Sequence, residues 1–196
     1  KLVKKVKGHH FVINLAASVA GIEYNKKHSA SIFQDNLQLF FNIIKASKEN
    51  KIKKFLTVSS ACVYPRYCSV PTPEKEGFYG EPEPTNSGYG WSKRMQEYLS
   101  KKYFEEFGLK TLIIRPYNCY GPGDNFNTSS SHVIAALIKK AINSKKKLKV
   151  WGKGNHTRSF LYVDDFARGL VEFFAMFNKS EPVNLGYNEE ISIKNL

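Results

Sequence analysis

Tyr89 and Lys93 are the pair of residues whose types and spacing most directly suggest chemistry. They lie four residues apart, and on a helix this spacing stacks two side chains on one face. A free phenol has a pKa of about 10, so it exchanges protons at neutral pH only where nearby positive charge lowers that pKa. The pair predicts a proton donor or acceptor, although the same spacing also occurs on ordinary helix surfaces.

The elements that must position this pair alternate between strand and helix. Short apolar runs predict buried strands, periodic apolar faces predict helices, and a segment rich in proline, glycine and glutamate predicts a loop. The predicted order is a strand over residues 11–15, a helix over 29–49, a strand over 54–58, a loop over 59–88, a helix over 89–107 and a strand over 111–114. This alternation predicts a parallel α/β sheet covered on both faces.

The second part of the chain continues less regularly. It predicts a helix over residues 132–143, strands over 148–151 and 159–163, a helix from 164, a strand over 183–185 and the start of a helix over 192–196. We therefore divide the chain into residues 1–120, which carry the regular alternation, and residues 121–196, in which it becomes irregular.

Small and polar residues follow three of the predicted strands. In open parallel sheets, ligands bind beyond the carboxyl ends of the strands. Ala16 and Ala17 follow the first strand, Ser59 and Ser60 follow the second, and residues 115–118 follow the third. The sequence therefore predicts a ligand site at this edge of the sheet.

Composition narrows the possible functions. The 196 residues are 42% hydrophobic and 14% aromatic, which is typical of a packed globular protein. No apolar run is long enough to span a membrane, and three cysteines without a Cys-x-x-Cys pair disfavour both zinc and a disulfide framework. We expect no metal site and a cytoplasmic location. The net charge of +13 comes from dispersed lysines without a nucleic-acid motif, so we expect no nucleic-acid partner.

Five motifs, taken in order, resemble the extended short-chain dehydrogenase/reductase family of nucleotide-sugar epimerases, dehydratases and reductases. They extend across nearly the whole chain. The motifs are Asn14-Leu-Ala-Ala17, Ser59-Ser-Ala-Cys-Val-Tyr-Pro65, Tyr89-x-x-x-Lys93, Arg115-Pro-x-Asn-x-Tyr-Gly-Pro122 and Arg158-Ser-Phe-Leu-Tyr-Val-Asp-Asp165. The resemblance implies a Rossmann-type doubly wound parallel sheet, with part of a smaller substrate-binding region. It implies that residues 1–120 are the carboxyl-side part of an NAD(P)-binding domain, and that residues 121–196 mix substrate-binding segments with returning elements of that domain.

The resemblance also implies an enzyme that uses NAD or NADP. Tyr89 would be the acid/base at a sugar hydroxyl or ketone, Lys93 would hold the nicotinamide ribose, and Ser60 would hydrogen-bond the reacting oxygen. Hydride transfer to a ketone creates a developing alkoxide, which needs a positioned donor and a proton. The implied cofactor-binding residues are Leu15, Ala16, Ala17, Asn36, Val58, Ser59, Tyr89, Lys93, Pro116 and Asn118.

The residues before the first predicted strand lack one part of the family pattern. The family opens with a strand, a glycine-rich turn and a helix that cradle the pyrophosphate, and residues 1–10 contain no such turn. The chain also begins with lysine rather than methionine. We interpret the sequence as a fragment of a longer protein whose amino-terminal βαβ units lie outside it, and we expect the full-length form to be a homodimer.

Within the family, the resemblance is greatest to the members that epimerise and then reduce a GDP-linked 4-keto-6-deoxymannose. In these enzymes a cysteine and a histidine, at the positions of Cys62 and His132, exchange the protons beside the ketone. A thiol and an imidazole both exchange protons near neutral pH. The substrate contacts implied in the same way are Asn118, Lys140, Trp151 and Arg158.

Several alternatives remain at this point. Cys62 could be a small buried hydrophobe, and His132 could cap the helix that it opens. The segment around Cys62 also matches GDP-mannose 3,5-epimerases, which have a lysine in place of the histidine, and simple nucleotide-sugar 4-epimerases need no such cysteine. A member of another class would bind nucleotide or a partner protein without catalysis.

Overall fold

Strands and helices alternate through most of the chain. A computed structural model describes residues 2–19, 21–127, 130–144, 148 and 152–196. The helices are α1 (Leu2–Val6), α2 (Ile22–Lys27), α3 (Ser29–Glu49), α4 (Ser87–Phe107), α5 (Val133–Asn143) and α6 (Val163–Met176). The strands are β1 (Phe11–Asn14), β2 (Lys54–Val58), β3 (Lys110–Pro116), β4 (Asn118–Tyr120), β5 (Thr157–Arg158), β6 (Phe160–Tyr162), β7 (Pro182–Leu185) and β8 (Ile191–Ser192). None of these helices combines the length and the hydropathy that crossing a lipid bilayer requires.

Four parallel strands form the central sheet, in the order β1-β2-β3-β7. Lys54 at the start of β2 pairs with Phe11 at the start of β1 and with Lys110 at the start of β3. Because these strands begin together and run in the same direction, the residues that follow them gather at one edge of the sheet.

Helices cover both faces of this sheet. Phe55 and Leu56 are consecutive in β2, so their side chains point to opposite faces. Phe55 packs with Phe40 and Ile44 of α3, whereas Leu56 packs with Leu170 of α6. Burial on both sides explains why the central strands are continuous apolar runs. The predicted Rossmann-type, doubly wound parallel sheet is confirmed.

Two small sheets accompany the central one in the described residues. β4 pairs with β6 in parallel, and β5 pairs with β8 in antiparallel orientation. β4 directly continues the path of β3, so this part of the chain extends beyond the carboxyl edge of the central sheet. α6 and β7 then return to that sheet. The division of the chain at residue 120 stays a prediction.

The long helix and the central strand agree closely with the sequence. α3 and β2 have the predicted bounds of residues 29–49 and 54–58, and α4 begins only two residues before its predicted start. The short elements α1, α2 and β4 were not predicted. The predicted strand over residues 148–151 lies outside the described residues apart from Leu148.

One prediction for the last part of the chain is wrong. Residues 192–196 do not start a helix: Ser192 ends β8, and residues 193–195 form a turn in which the Lys194 N–H donates to the Gly154 carbonyl at 2.9 Å. The predicted strand over residues 159–163 is found as β6, one residue shorter at each end, because α6 already begins at Val163. Hydrogen bonds between distant residues set these bounds, and no local pattern reveals them.

Candidate active site

A tight turn after β2 presents Ser60 and Cys62. Ser59 remains attached to the sheet, because its N–H donates to the carbonyl of Ile114 at 2.8 Å. Ser60 then caps the 3-10 turn Ala61–Val63, with its Oγ accepting a 3.1 Å hydrogen bond from the Cys62 N–H. Such a cap satisfies a backbone donor at the start of the turn, so it fixes the thiol relative to the Ser60 hydroxyl.

Helix α4 brings Tyr89 and Lys93 against this turn. A Cβ atom on Gly90 would lie 2.4 Å from the Cys62 carbonyl oxygen, so the close approach requires glycine. The Ser60 side chain is hydrogen-bonded to the Tyr89 phenol, and the Lys93 Nζ atom lies 5.5 Å from the centre of the Tyr89 ring. The four side chains that the sequence singled out therefore meet at one place.

Burial changes the proton affinities of Tyr89 and Lys93. It raises the pKa of Tyr89, and the hydrogen bond with Ser60 offsets only part of this change. It lowers the pKa of Lys93 to about 8, although nearby acidic groups oppose the shift. The expected lowering of the Tyr89 pKa by Lys93 is not found. The Lys93 ammonium lies over the ring and donates to the Val58 carbonyl at 2.7 Å, and burial has the largest effect on the pKa of the phenol.

The Cys62 thiol is only partly exposed, and its pKa is raised. Burial is the main cause, and the carboxylate of Glu83 adds to it. The hydrogen bond with Ser60 and the positive charges of Lys93 and Arg158 act in the opposite direction. Arg158 is an exposed residue of β5. Arg158, a predicted substrate contact, is thus one of the positive charges that lower the pKa of the thiol.

His132 lies at the amino end of α5. Its backbone carbonyl accepts from the Ala136 N–H at 2.9 Å, whereas its imidazole makes no capping hydrogen bond and is exposed. Two residues before His132, the carbonyl of Ser130 accepts a 3.1 Å hydrogen bond from the Gly21 N–H, so this loop contacts the segment after β1. Among the described residues, no hydrogen bond joins His132 to Cys62, and its role in proton exchange stays a prediction.

Asn36 fixes the loop that follows β1. It is 1% exposed, and its Nδ2 atom donates to the carbonyls of Ser18 at 2.9 Å and Ile32 at 2.8 Å. Its Oδ1 atom accepts from the Ser18 N–H at 3.0 Å. The loop carries three of the predicted cofactor contacts, Leu15, Ala16 and Ala17. A buried asparagine in α3 thus shapes the backbone at the sheet edge.

The remaining predicted residues lie at several places. The amide of Asn118 donates to the carbonyl of Ser159 at 3.0 Å and joins β4 to the residue before β6. Of the others, Val58 ends β2, Pro116 ends β3, Lys140 lies on α5, and Trp151 lies outside the described residues.

A buried ion pair behind the site was not predicted. Glu97 and Arg115 form two parallel hydrogen bonds of 2.8 and 2.7 Å, and both side chains are 1% exposed. Glu97 also accepts from the Ser59 hydroxyl at 2.5 Å. Glu97 lies one turn after Lys93 on α4, so the pair connects the helix of the site to the turn after β2. Because a buried charge needs a partner, an arginine within the apolar strand β3 was the available signal.

The same arginine reaches the loop beyond Cys62. Its Nη1 atom donates to the Tyr64 hydroxyl at 3.0 Å and to the Glu74 carbonyl at 2.7 Å. Tyr64 in turn donates to Asn184 of β7 at 2.6 Å. These hydrogen bonds attach the loop to two strands of the central sheet.

Comparison with known proteins shows the family to which the chain belongs. The sequence profile of the NAD dependent epimerase/dehydratase family matches residues 1–186. The chain belongs to this family. Its motifs at the ends of β1, β2 and β3 are the ones that pointed to such enzymes in the sequence.

Alignments with individual family members extend over almost the whole chain. It is 38% identical over 188 residues to a GDP-L-fucose synthase of Sinorhizobium fredii, covering 94% of the chain and 60% of the relative. It is 32% identical over 199 residues to a GDP-mannose 3,5-epimerase of Arabidopsis thaliana, covering 99% and 52%. A crystal structure of a GDP-L-fucose synthetase from Naegleria fowleri bound to NADP matches with a TM-score of 0.84 and 31% identity, covering 95% and 63%. The chain thus spans between 52% and 63% of the length of these proteins.

Proposed function

We propose that the full-length protein is an NAD(P)-dependent nucleotide-sugar epimerase/reductase of the GDP-L-fucose synthase type. The observation that carries this proposal is the meeting of Ser60, Tyr89 and Lys93 beside the Cys62 thiol. A hydroxyl, a phenol and an ammonium suit transfer at a ketone, and an adjacent thiol adds a second proton-exchanging group. The identity to a GDP-L-fucose synthase over nearly the whole chain supports the substrate class.

A nicotinamide dinucleotide is the proposed cofactor, and the residues at the sheet edge fit it. An ammonium has three N–H donors, and within the described residues Lys93 uses two of them, toward Val58 at 2.7 Å and Gln96 at 3.4 Å. The third suits a ribose hydroxyl. Ala16 and Ala17 have small side chains that allow close approach to the loop after β1. When bound, the nicotinamide gives or accepts the hydride, and the NADP bound to the Naegleria fowleri relative supports this class of cofactor.

A glycine-rich turn for the pyrophosphate belongs, in this proposal, to residues that precede the sequence. The relatives are longer than the chain. In the described residues β1 forms one edge of the sheet, and its Phe11 and Ile13 side chains are 55% and 40% exposed. A further strand and helix would cover these apolar side chains.

In the proposed reduction, three side chains assist transfer of a hydride from the cofactor and of a proton to the ketone oxygen. The Tyr89 phenol, whose pKa is raised, carries its proton at neutral pH, and it can donate this proton because the developing alkoxide is more basic than a phenolate. A C–H bond and an O–H bond form as the C=O double bond becomes single. The Ser60 hydroxyl donates a hydrogen bond to the same oxygen, and the charge of Lys93 stabilises the developing alkoxide.

The proposed epimerisation uses Cys62 and His132 on opposite faces of the sugar. A proton beside a carbonyl is acidic because removing it forms an enolate, and the donors on the ketone oxygen stabilise that enolate. One group removes the proton and the other returns a proton to the opposite face, which inverts the carbon. Arg158, whose charge reaches Cys62, is proposed to bind the diphosphate, together with Lys140, and Asn118 and Trp151 complete the proposed substrate contacts.

The test is a comparison of substrates with the full-length protein. We expect NADPH to be oxidised with GDP-4-keto-6-deoxymannose and not consumed with UDP-glucose, which a 4-epimerase would interconvert with UDP-galactose. A GDP-mannose 3,5-epimerase, suggested by the Arabidopsis relative, would act on GDP-mannose without net NADPH consumption. If the protein converts none of these three substrates, the proposed reaction is refuted and a non-catalytic nucleotide-binding protein is favoured.

We also propose that the full-length protein is a homodimer through α3 and α4. A groove of about 540 Å³ between these helices is lined by Phe33, Trp91 and Met95, and its lining is almost entirely apolar. A second copy would present the same helices, as a twofold interface requires. Sedimentation should therefore give twice the monomer mass, and Trp91→Glu should give the monomer. The cytoplasmic location and the absence of nucleic-acid partners stay predictions.

Replacing Asn36 should weaken cofactor binding through the loop after β1. In Asn36→Ala the backbone groups of Ser18 lose their partners, which should lower the free energy of unfolding by about 1–3 kcal/mol and raise the Kd for the dinucleotide. Asn42→Ala is the matched control, because Asn42 lies on the exposed side of the same helix. Urea denaturation and titration calorimetry measure both effects, and equal behaviour of the two variants would contradict the role of Asn36.

A further inference from the structure

Arg94 connects helix α4 to two points of the loop around Cys62, Val63 and Gly80. Its Nε atom donates to the carbonyl of Val63 at 2.9 Å, and its Nη1 atom donates to the carbonyl of Gly80 at 2.6 Å. Val63 is the last residue of the 3-10 turn that carries Cys62. One side chain therefore holds the turn at a point adjacent to the thiol.

The guanidinium of Arg94 is held firmly in this position. The side chain is 1% exposed, and its guanidinium carbon lies 4.9 Å from the centre of the Trp91 ring and 5.5 Å from that of Phe78. Charge-assisted hydrogen bonds and cation–π contacts are strong when water is excluded. Its Nη2 atom has no hydrogen-bond partner in the described part of the chain, so the two carbonyls are the contacts that fix its orientation.

Tyr89 and Lys93 are held by other contacts. The carbonyl of Tyr89 accepts from the Ser92 hydroxyl at 2.7 Å, and Lys93 donates to Val58 at 2.7 Å. Gln96, on the same helix, donates to the carbonyl of Asn36 at 3.2 Å. Ser60, the third residue proposed for reduction, directly follows Ser59, whose N–H donates to the Ile114 carbonyl at 2.8 Å. Arg94 instead holds the turn at Val63, on the other side of Cys62.

We infer that Arg94 is a positioning residue for proton exchange at Cys62 and not for hydride transfer, an inference that rests on the proposed function. The two partial reactions should then separate on substitution. A displacement of about 1 Å at a reacting group can lower a rate about 10²-fold. Loss of the guanidinium should slow exchange of the protons beside the ketone by about that factor and leave reduction near the wild-type rate.

The test compares Arg94→Met, Arg94→Lys and Arg66→Met in the full-length protein. Arg66 is the matched control, because it is an exposed arginine of the same loop. With GDP-4-keto-6-deoxymannose and NADPH in deuterated water, Arg94→Met should incorporate little deuterium beside the ketone and yield mainly a reduced sugar with the configuration of the substrate. Arg94→Lys should be intermediate, because an ammonium can reach one of the two carbonyls. Arg66→Met should behave as wild type. Equal slowing of deuterium incorporation and reduction would overturn the inference.

A second measurement needs no substrate. The rate at which iodoacetamide alkylates Cys62 depends on exposure of the thiol, and it should rise several-fold in Arg94→Met while Cys119 on β4 keeps its rate. If the wild type does not exchange deuterium but the alkylation rates differ as expected, the proposed function fails and the positioning by Arg94 stands. If Cys62→Ser abolishes exchange but both Arg94 variants exchange and alkylate like wild type, the inference is overturned. Should Arg94→Met not fold, Arg94→Lys decides by the same two readouts.

Discussion

Tyr89→Phe in the full-length protein is expected to reduce GDP-4-keto-6-deoxymannose about 10²–10⁴-fold more slowly than wild type. The substitution removes the proton that the ketone oxygen must receive, and it leaves the ring in place over Lys93. Substrate binding should change little, because the missing proton donor matters mainly in the transition state, when negative charge develops on the oxygen. Single-turnover oxidation of NADPH, with the product analysed by mass spectrometry, measures the rate.

Tyr98→Phe is the matched control for this prediction. Tyr98 lies on the same helix, but its side chain is 54% exposed and points away from the site. We expect this variant to reduce the ketone at the wild-type rate. If Tyr89→Phe were as fast as Tyr98→Phe, Tyr89 would not be the proton donor, and the proposed mechanism of reduction would be wrong.

The second large effect is expected at the buried ion pair behind the site. Glu97→Gln leaves the charge of Arg115 buried without its counter-ion, and removing one partner of such a pair typically costs about 3–5 kcal/mol of folding free energy. The Ser59 hydroxyl would also lose a charged acceptor. Urea denaturation of the variant should show a midpoint well below that of the wild type.

Glu105→Gln provides the control, because it makes the same chemical change on the same helix. Glu105 pairs with Lys102 at the surface, where both side chains are about half exposed, and such pairs contribute about 0–1 kcal/mol. The double variant Glu97→Gln, Arg115→Met should recover part of the lost stability, because it removes the unpaired charge. Similar losses in Glu97→Gln and Glu105→Gln would mean that the ion pair does not stabilise the fold.

Local patterns were sufficient to predict the central part of the fold. The apolar periodicity of α3 and the continuous apolar run of β2 predicted where these elements begin and end. Burial of one face of a helix, or of both faces of a strand, produces a pattern of apolar residues that is visible in the sequence. The elements that were missed or wrong are short. α2 and β4 have too few residues for a period, and the carboxyl-terminal residues are fixed by hydrogen bonds to residues 154 and 156.

The site was predictable where chemistry follows a motif and not where it depends on packing. The spacing of Tyr89 and Lys93 and the serines after β2 indicated the residues that meet. The direction of the Tyr89 pKa was not predictable, because burial determines it and burial depends on the whole fold. Arg94 and Glu97 were missed for the same reason: on a helix of mixed polarity, nothing local distinguishes a buried charged residue from an exposed one.

Isotope exchange at the carbons beside the ketone tests the central claim most directly. The full-length wild type, Cys62→Ser and Cys68→Ser are incubated with GDP-4-keto-6-deoxymannose and NADPH in deuterated water, and Cys68 serves as the control because it is a second cysteine of the same loop. The predicted result is deuterium beside the ketone with wild type and Cys68→Ser, loss of that deuterium with Cys62→Ser, and continued NADPH oxidation by all three. Absence of both deuterium incorporation and NADPH oxidation with the wild type would contradict the account.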